Sequence, residues 1–161
     1  MDTNQRLRAA AEKLALTLAQ GGMQRATARV MTALLYTGKE SMTAADLREE
    51  LSISSGAVST AIKQLAPLGL VERVPAPGSR RDHYRLRQGA WSNLMSQQNA
   101  LLTVMCDAAR EGIDAAGADG VTGRRLHEMQ DFYTYMLEEL VPLIDRWREQ
   151  YTAGTGGASA G

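Results

Sequence analysis

Aromatic residues make up only 5% of this 161-residue chain, with a single Phe. So few aromatics beside many Ala, Leu and Met lean the fold towards helix and away from a β-rich core. One cysteine occurs, Cys106, which excludes an internal disulfide framework and a multi-cysteine zinc site. It lies beside Met105 and Asp107 with only Arg110 within a turn. A sensor thiol needs an exposed, positive setting, so a buried structural cysteine is expected. The two histidines, His83 and His127, fall in different segments. Neither has a second ligand at useful spacing, and no acid/base pair or Gly-rich phosphate loop is found. No metal, no cofactor and no enzymatic activity are expected. A run of about 18 apolar residues is also missing, so no membrane span is expected. The opening Met1-Asp2-Thr3-Asn4-Gln5 lacks the basic-then-apolar plan of a secretory signal, and a cytoplasmic protein is expected.

Net charge is absent too, at formal zero. Its distribution is uneven. Between Gly21 and Ala90 there are 10 Lys/Arg against 6 Asp/Glu, leaving 8 against 12 in the flanks. Basic character is gathered in the middle, where a nucleic-acid surface would want it. With 44% hydrophobic and 22% charged residues, the chain has the composition and length of one folded domain with a real core.

What is present is mostly helical periodicity. Leu7, Ala11, Leu14 and Leu18 form one stripe of an amphipathic first helix, stopped by Gly21-Gly22. A second helix over about 24–37 buries Val30, Met31, Leu34 and Leu35, and Ser41-Met42 reads as a very short strand. Thr43-Ala-Ala-Asp46 has the capping-box form and opens a short helix over about 44–51. Ser54 and Ser55 cap another, whose apolar positions are Val58, Ala61, Ile62 and Leu65. Two helices separated by Ser52-Ile53-Ser54 form a helix-turn-helix. Pro67 and Gly69 end it, and Leu70–Val74, a turn at Pro75–Gly78 and His83–Arg87 read as a β-hairpin. Residues 43–87 are thus a winged helix-turn-helix.

Beyond the hairpin, Trp91 to about Glu111 is helical through Leu94, Leu101, Leu102 and Met105, with a loop expected over Gly112–Gly120. The last helix, about 122–151, carries Leu126, Met129, Tyr133, Met136, Leu140, Leu143 and Trp147 as a heptad seam. Pro142 should kink it by freeing the Glu138 carbonyl, without ending it. The fold expected is mainly α: a winged helix-turn-helix over 21–89, flanked by long helices, 1–20 and 90–151, that form a dimerisation region. The tail 152–161 is expected to be disordered.

A helix that enters the major groove needs short polar side chains at its start, so that its backbone can sit deep. Ser54, Ser55, Gly56, Ser59 and Thr60 supply them, and Lys63 adds positive charge one turn on. At least one of the two leading serines is expected to cap the helix. The wing carries Arg80, Arg81, His83, Arg85 and Arg87 against Asp82 alone. Arg80 and Arg81 sit at the tip, where an arginine can enter the minor groove. Arg85 and Arg87 face out, towards phosphate or towards an acidic neighbour. Arg25 and Arg29 share a face of the second helix, suited equally to phosphate or to ion pairs within the chain.

Dimerisation is the natural use of Leu7, Leu14 and Leu18 with Tyr133, Met136, Leu140 and Trp147, because so small a core cannot bury two long amphipathic helices unaided; packing inside one chain is the alternative. The partners expected are therefore double-stranded DNA and a second copy of the chain. The alternative function is a winged-helix module that binds protein without DNA. Such a module would carry acidic or exposed apolar residues where this chain has hydroxyls and arginines.

The order of helices, reading head and wing resembles the MarR family of bacterial regulators. The run from Ala44 to Leu65 matches the family's DNA-reading core in type and spacing, and Gly69-Leu70-Val71 is its usual exit into the wing. Gly22-Met-Gln-Arg25, Gly69-Leu-Val-Glu-Arg73 and Pro77-Gly-Ser-Arg-Arg-Asp-His-Tyr84 place the likeness nearest the branch typified by repressors of glycine-betaine synthesis. One departure is plain: Gly-Ser-Arg-Arg-Asp replaces the common Asp-x-Arg-Asp-x-Arg wing, so typical arginine contacts do not transfer position by position. The resemblance implies a repressor and a small-molecule effector pocket, with Met23, Tyr36, Trp91 and Met95 as its candidate lining.

Overall fold

The computed structural model describes residues 2–156. In chain order these form α1 (Thr3–Gln20), α2 (Arg25–Tyr36), β1 (Met42–Thr43), α3 (Ala44–Leu51), α4 (Ser55–Leu65), β2 (Val71–Val74), β3 (His83–Leu86), α5 (Ala90–Ala116) and α6 (Val121–Gly156). They divide into two compact units, one ending at Ala90 and the other starting at Trp91.

In the first unit α2 is the central helix. Thr27, Ala28 and the run Val30–Leu34 are all buried, the pattern of a helix covered on nearly every side, and α1, α3, α4 and β3 all contact it. α1 ends where Gly22 takes a φ of +107°, a conformation that costs glycine little. The Met23 N–H then reaches back to the Leu18 carbonyl at 3.1 Å. Arg29 of α2 ties three elements together. Its Nε and Nη2 donate to Glu12 of α1 at 2.8–3.1 Å, and its Nη1 donates to the Leu51 carbonyl at the end of α3 at 3.0 Å. Of its two expected uses, the ion pair is the one formed.

Three antiparallel strands complete the unit in the order β1-β3-β2. Thr43 pairs with His83, and Val74, Arg73, Glu72 and Val71 pair with His83, Tyr84, Arg85 and Leu86. Val30, Met31, Met42, Leu47, Val58, Leu65, Leu70 and Val71 are fully enclosed beneath helices and sheet. The Arg87 N–H donates to the Leu70 carbonyl at 2.8 Å and closes the base of the hairpin.

The second unit is a helical hairpin. Thr134 of α6 meets Cys106 of α5, and Arg148 meets Ser92 and Ser96, so the chain positions run in opposite directions. Two differences from the sequence expectation appear here. α5 continues to Ala116, so 112–116 is helix rather than loop. Gly112 lies within it facing the Leu126 side chain, whose Cδ1 a Cβ there would meet. α6 runs to Gly156, five residues beyond the expected end, so 152–156 of the expected disordered tail are helical. The rest of that tail, 157–161, lies outside the described residues. α6 also continues past Pro142, as expected. Within the first unit α1 packs on α2.

The connection between α5 and α6 makes a sharp prediction. A Cβ on Gly123 would overlap the backbone carbonyls of Gly117 and Ala118, and backbone cannot step aside as a side chain can. Gly123→Ala should cost about 1–3 kcal/mol, read as a lowered urea midpoint. Gly112→Ala should stay within about 1 kcal/mol, since Leu126 can rotate and the helix gains from the added methyl.

Candidate nucleic-acid interface

The site is built from the helix boundary upward. Thr43 and Asp46 form the expected capping box: the Asp46 N–H donates to Thr43 Oγ1 at 3.1 Å, and the Thr43 N–H donates to Asp46 Oδ2 at 2.9 Å. That backbone N–H holds the Asp46 carboxyl below the usual carboxylate range, helped by the Thr43 hydroxyl and by Lys39, and opposed by burial. A folded-state pKa below the unfolded value gives stability that is present at neutral pH and lost as pH falls through the lowered pKa. Below about pH 4 the wild type should therefore lose thermal stability more steeply than Asp46→Asn, which keeps an acceptor but no titrating carboxyl. Parallel acid-side slopes in thermal melts of the two proteins would contradict this account of the cap.

α3 ends at Ser52, whose φ of +52° makes it the non-glycine residue with positive φ among the described residues. That reversal lets Ser54 begin the next helix, its Oγ accepting from the Ala57 N–H at 3.1 Å. Ser54 is thus the capping serine. α4 then divides by face. Val58, Ala61 and Leu65 are fully buried, while Ser55, Gly56, Ser59, Thr60 and Lys63 are all exposed. The outer face carries no bulky or acidic side chain over its first two turns.

Of the wing's candidate contacts, the structure separates two kinds. Arg80 and Arg81 are exposed at the tip, and among the described residues neither guanidinium has an ion-pair or hydrogen-bond partner. Arg85 is drawn across the hairpin to Glu72 at 2.8 Å, with Arg87 at 4.0 Å from the same carboxylate. Arg73 pairs with Asp82 at 3.4 Å. His83 is half-buried, its Nδ1 3.0 Å from Ser41 Oγ and its Nε2 3.0 Å from Ser79 Oγ. Both ring nitrogens are thus engaged by serine hydroxyls of the wing and of the residue before β1.

Arg48 is the cation the sequence reading missed. It is exposed on α3, and its Nη1 lies 3.4 Å from Ser55 Oγ at the first turn of α4. Its neighbours Glu49 and Glu50 hid it in the charge pattern. Arg25 is also exposed. Cys106 is buried, its Sγ 3.6 Å from Thr134 Oγ1. Of the effector candidates, Met23 and Tyr36 are half-buried in the first unit, and Trp91 and Met95 are exposed in the second.

A short helix, a reversed turn, a polar-faced second helix and a three-stranded wing define a winged helix-turn-helix. Residues 21–82 match a model of the MarR family, and residues 89–150 match one of MmpR5-like MarR family transcriptional regulators. The HTH-type transcriptional regulator MmpR5 of Mycobacterium tuberculosis (strain ATCC 25618 / H37Rv) is 30% identical over 129 residues, which cover 80% of this chain and 78% of that protein. A crystal structure of a transcriptional regulator matches over 89% of this chain and 99% of its own, with a TM-score of 0.76 and 26% identity. The chain belongs to the MarR family of transcriptional regulators. The expected family is thereby borne out, and with it a DNA-binding regulator in place of an enzyme.

Among the described residues no helix is long and apolar enough to cross a membrane.

Proposed function

We propose that this protein is a homodimeric, sequence-specific regulator that reads a near-palindromic stretch of duplex DNA, and that it acts as a repressor answering a small-molecule effector. One observation carries the DNA reading: a single compact unit combines an α4 whose outer face opens with short polar groups, followed by Lys63 and Gln64, with wing-tip arginines whose guanidiniums have no ion-pair or hydrogen-bond partner among the described residues. The helix face suits the floor of the major groove, where hydroxyls can donate to or accept from base edges. The arginines suit the minor groove or the phosphates flanking it. Arg48, beside the first turn of α4, is placed to meet a phosphate at the same helix start.

The dimer is supported by apolar side chains that α6 leaves in solvent, Phe132, Leu143 and Trp147 among them. Tyr133, Met136 and Leu140 are half-covered beside them, and Leu7 of α1 is exposed, with Leu14 and Leu18 half-covered. Twofold pairing would set two reading heads about 34–36 Å apart, one turn of the duplex. Repression and a small-molecule effector rest on family resemblance.

Selection of bound fragments from genomic DNA tests the reading directly. The recovered fragments should share an inverted repeat. Thr60→Ala and Lys63→Ala should each select an altered motif, with a change in discrimination of about 1–3 kcal/mol at the affected base pair. Fragments with no common motif would overturn the proposal.

A further inference from the structure

The wing arginines pose a question of order. Arg80 and Arg81 sit on a turn between Pro75 and Asp82, and among the described residues their guanidiniums have no ion-pair or hydrogen-bond partner. An arginine on a loose loop loses conformational freedom when it binds, which reduces what its contact contributes. Something must fix the backbone beneath it.

The fixing chain is visible. Ser41 lies next to Met42, which is fully buried in the core, so its position is set by β1. Its Oγ meets His83 Nδ1 at 3.0 Å. The other ring nitrogen, Nε2, meets Ser79 Oγ at 3.0 Å. Ser79 Oγ also accepts from the backbone N–H of Arg81 at 3.2 Å. A single line of hydrogen bonds therefore runs from the residue just before β1, through both ring nitrogens of one histidine, to the peptide of a wing-tip arginine. Either neutral tautomer satisfies it. With the proton on Nδ1, the ring donates to Ser41 and accepts from the Ser79 hydroxyl. With the proton on Nε2, Ser79 Oγ accepts from both the ring and Arg81, and the Ser41 hydroxyl donates to Nδ1.

We propose that His83 is a positioning residue for the wing: it touches no DNA, and it acts by holding Ser79, and through Ser79 the Arg81 peptide, against the first strand. The proposal rests on the reading of Arg80 and Arg81 as DNA contacts. Among the expected wing residues it moves His83 from the contacting set to the supporting set. It also gives Ser41 and Ser79 functions that neither residue type nor spacing suggests.

The test uses the full chain in two measurements. The first needs no DNA: amide hydrogen exchange by NMR. The Arg81 N–H should exchange faster by about tenfold in His83→Ala and in Ser79→Ala, while amides of α2 and α4 keep their wild-type rates. The second is fluorescence anisotropy on a selected duplex across salt concentrations, for the wild type, Arg80→Ala/Arg81→Ala, His83→Ala, Ser79→Ala, and the triple variant that joins His83→Ala to the arginine pair. His83→Ala and Ser79→Ala should each weaken binding by about three- to tenfold and lower the salt slope. In the background without the arginines, the His83 loss should shrink below about twofold, because nothing remains to be positioned. His83→Gln, whose amide can reach Ser79, should recover part of the loss. An Arg81 amide that exchanges at the same rate with and without His83 would overturn the proposal. So would a His83 loss of equal size in both backgrounds, the mark of a direct DNA contact, and that result would leave the arginine reading intact. Unchanged binding on removal of the arginines would instead overturn that reading, and this proposal with it. Ser79→Ala lies on an exposed turn and keeps the test decisive if His83→Ala folds poorly.

Discussion

Replacing Arg80 and Arg81 together with alanine should weaken binding to every duplex alike, by about ten- to a hundredfold at physiological salt. The dependence on salt should flatten by about one unit of slope for each arginine lost from contact. The argument starts from what the other wing cations do. Arg85 and Arg87 share the Glu72 carboxylate, and Arg73 faces Asp82. Each of these must give up a partner before it can meet a phosphate, so its net gain is small. Arg80 and Arg81 give up only water. They also stand at the end of a narrow hairpin, the shape that fits a minor groove, where A·T-rich stretches concentrate negative potential. Titrations of matched and random duplexes from low to high salt would read both effects. Arg85→Ala serves as the internal control and should cost less than either tip arginine. Identical binding curves for the wild type and the tip double variant at all salt concentrations would remove the wing from the interface.

The second large effect belongs to the other unit. Leu143 and Trp147 of α6 are 52% and 56% exposed, whereas Ile144 beside them is 7% exposed. The first two can therefore be changed without opening the hairpin core. Leu143→Glu with Trp147→Glu places four carboxylates where a twofold seam would bring the helices together, and a desolvated like charge is costly. The expected product keeps its helical circular dichroism, sediments as one chain, and binds its site about 10²–10⁴-fold more weakly, since the second head no longer gains from the first. A variant that still sediments at twice the chain mass would place the seam elsewhere.

Much of this architecture was legible in the residues themselves. Thr43 and Asp46 announce a helix start by chemistry alone, and Ser54 does the same for α4, because a cap is a local arrangement of three or four residues. The burial of Val58, Ala61 and Leu65 follows from periodicity, and so does the exposure of the polar face between them. What was not legible depends on partners distant in the chain. Gly112 and the residues after it look like a loop until Leu126 is set against them. His83 looks like one more basic residue among arginines, since Ser41, the anchor for its ring, lies just before another strand, β1. Arg85 could be assigned to Glu72 only once the hairpin register was fixed, because a shift by one residue would turn both side chains to other faces. Arg48 was obscured by local charge, with two glutamates directly following it. The family's common wing pattern is replaced here, so no template could have divided the arginines into paired and unpaired.

The side chain of Arg29 has a thermodynamic corollary. One guanidinium holds a carboxylate on α1 and the last carbonyl of α3, immediately before the reversal that launches α4. These are separate donors on one rigid plane, so the plane cannot follow a shift of α1 without lengthening the bond at Leu51. Anything whose grip on α1 stretches or relaxes that plane changes the free energy of the turn ahead of the recognition helix. If DNA seats on α4 as proposed, linkage requires that it change the affinity of such a partner by the same factor. One side chain thus joins the first helix to the turn that precedes α4.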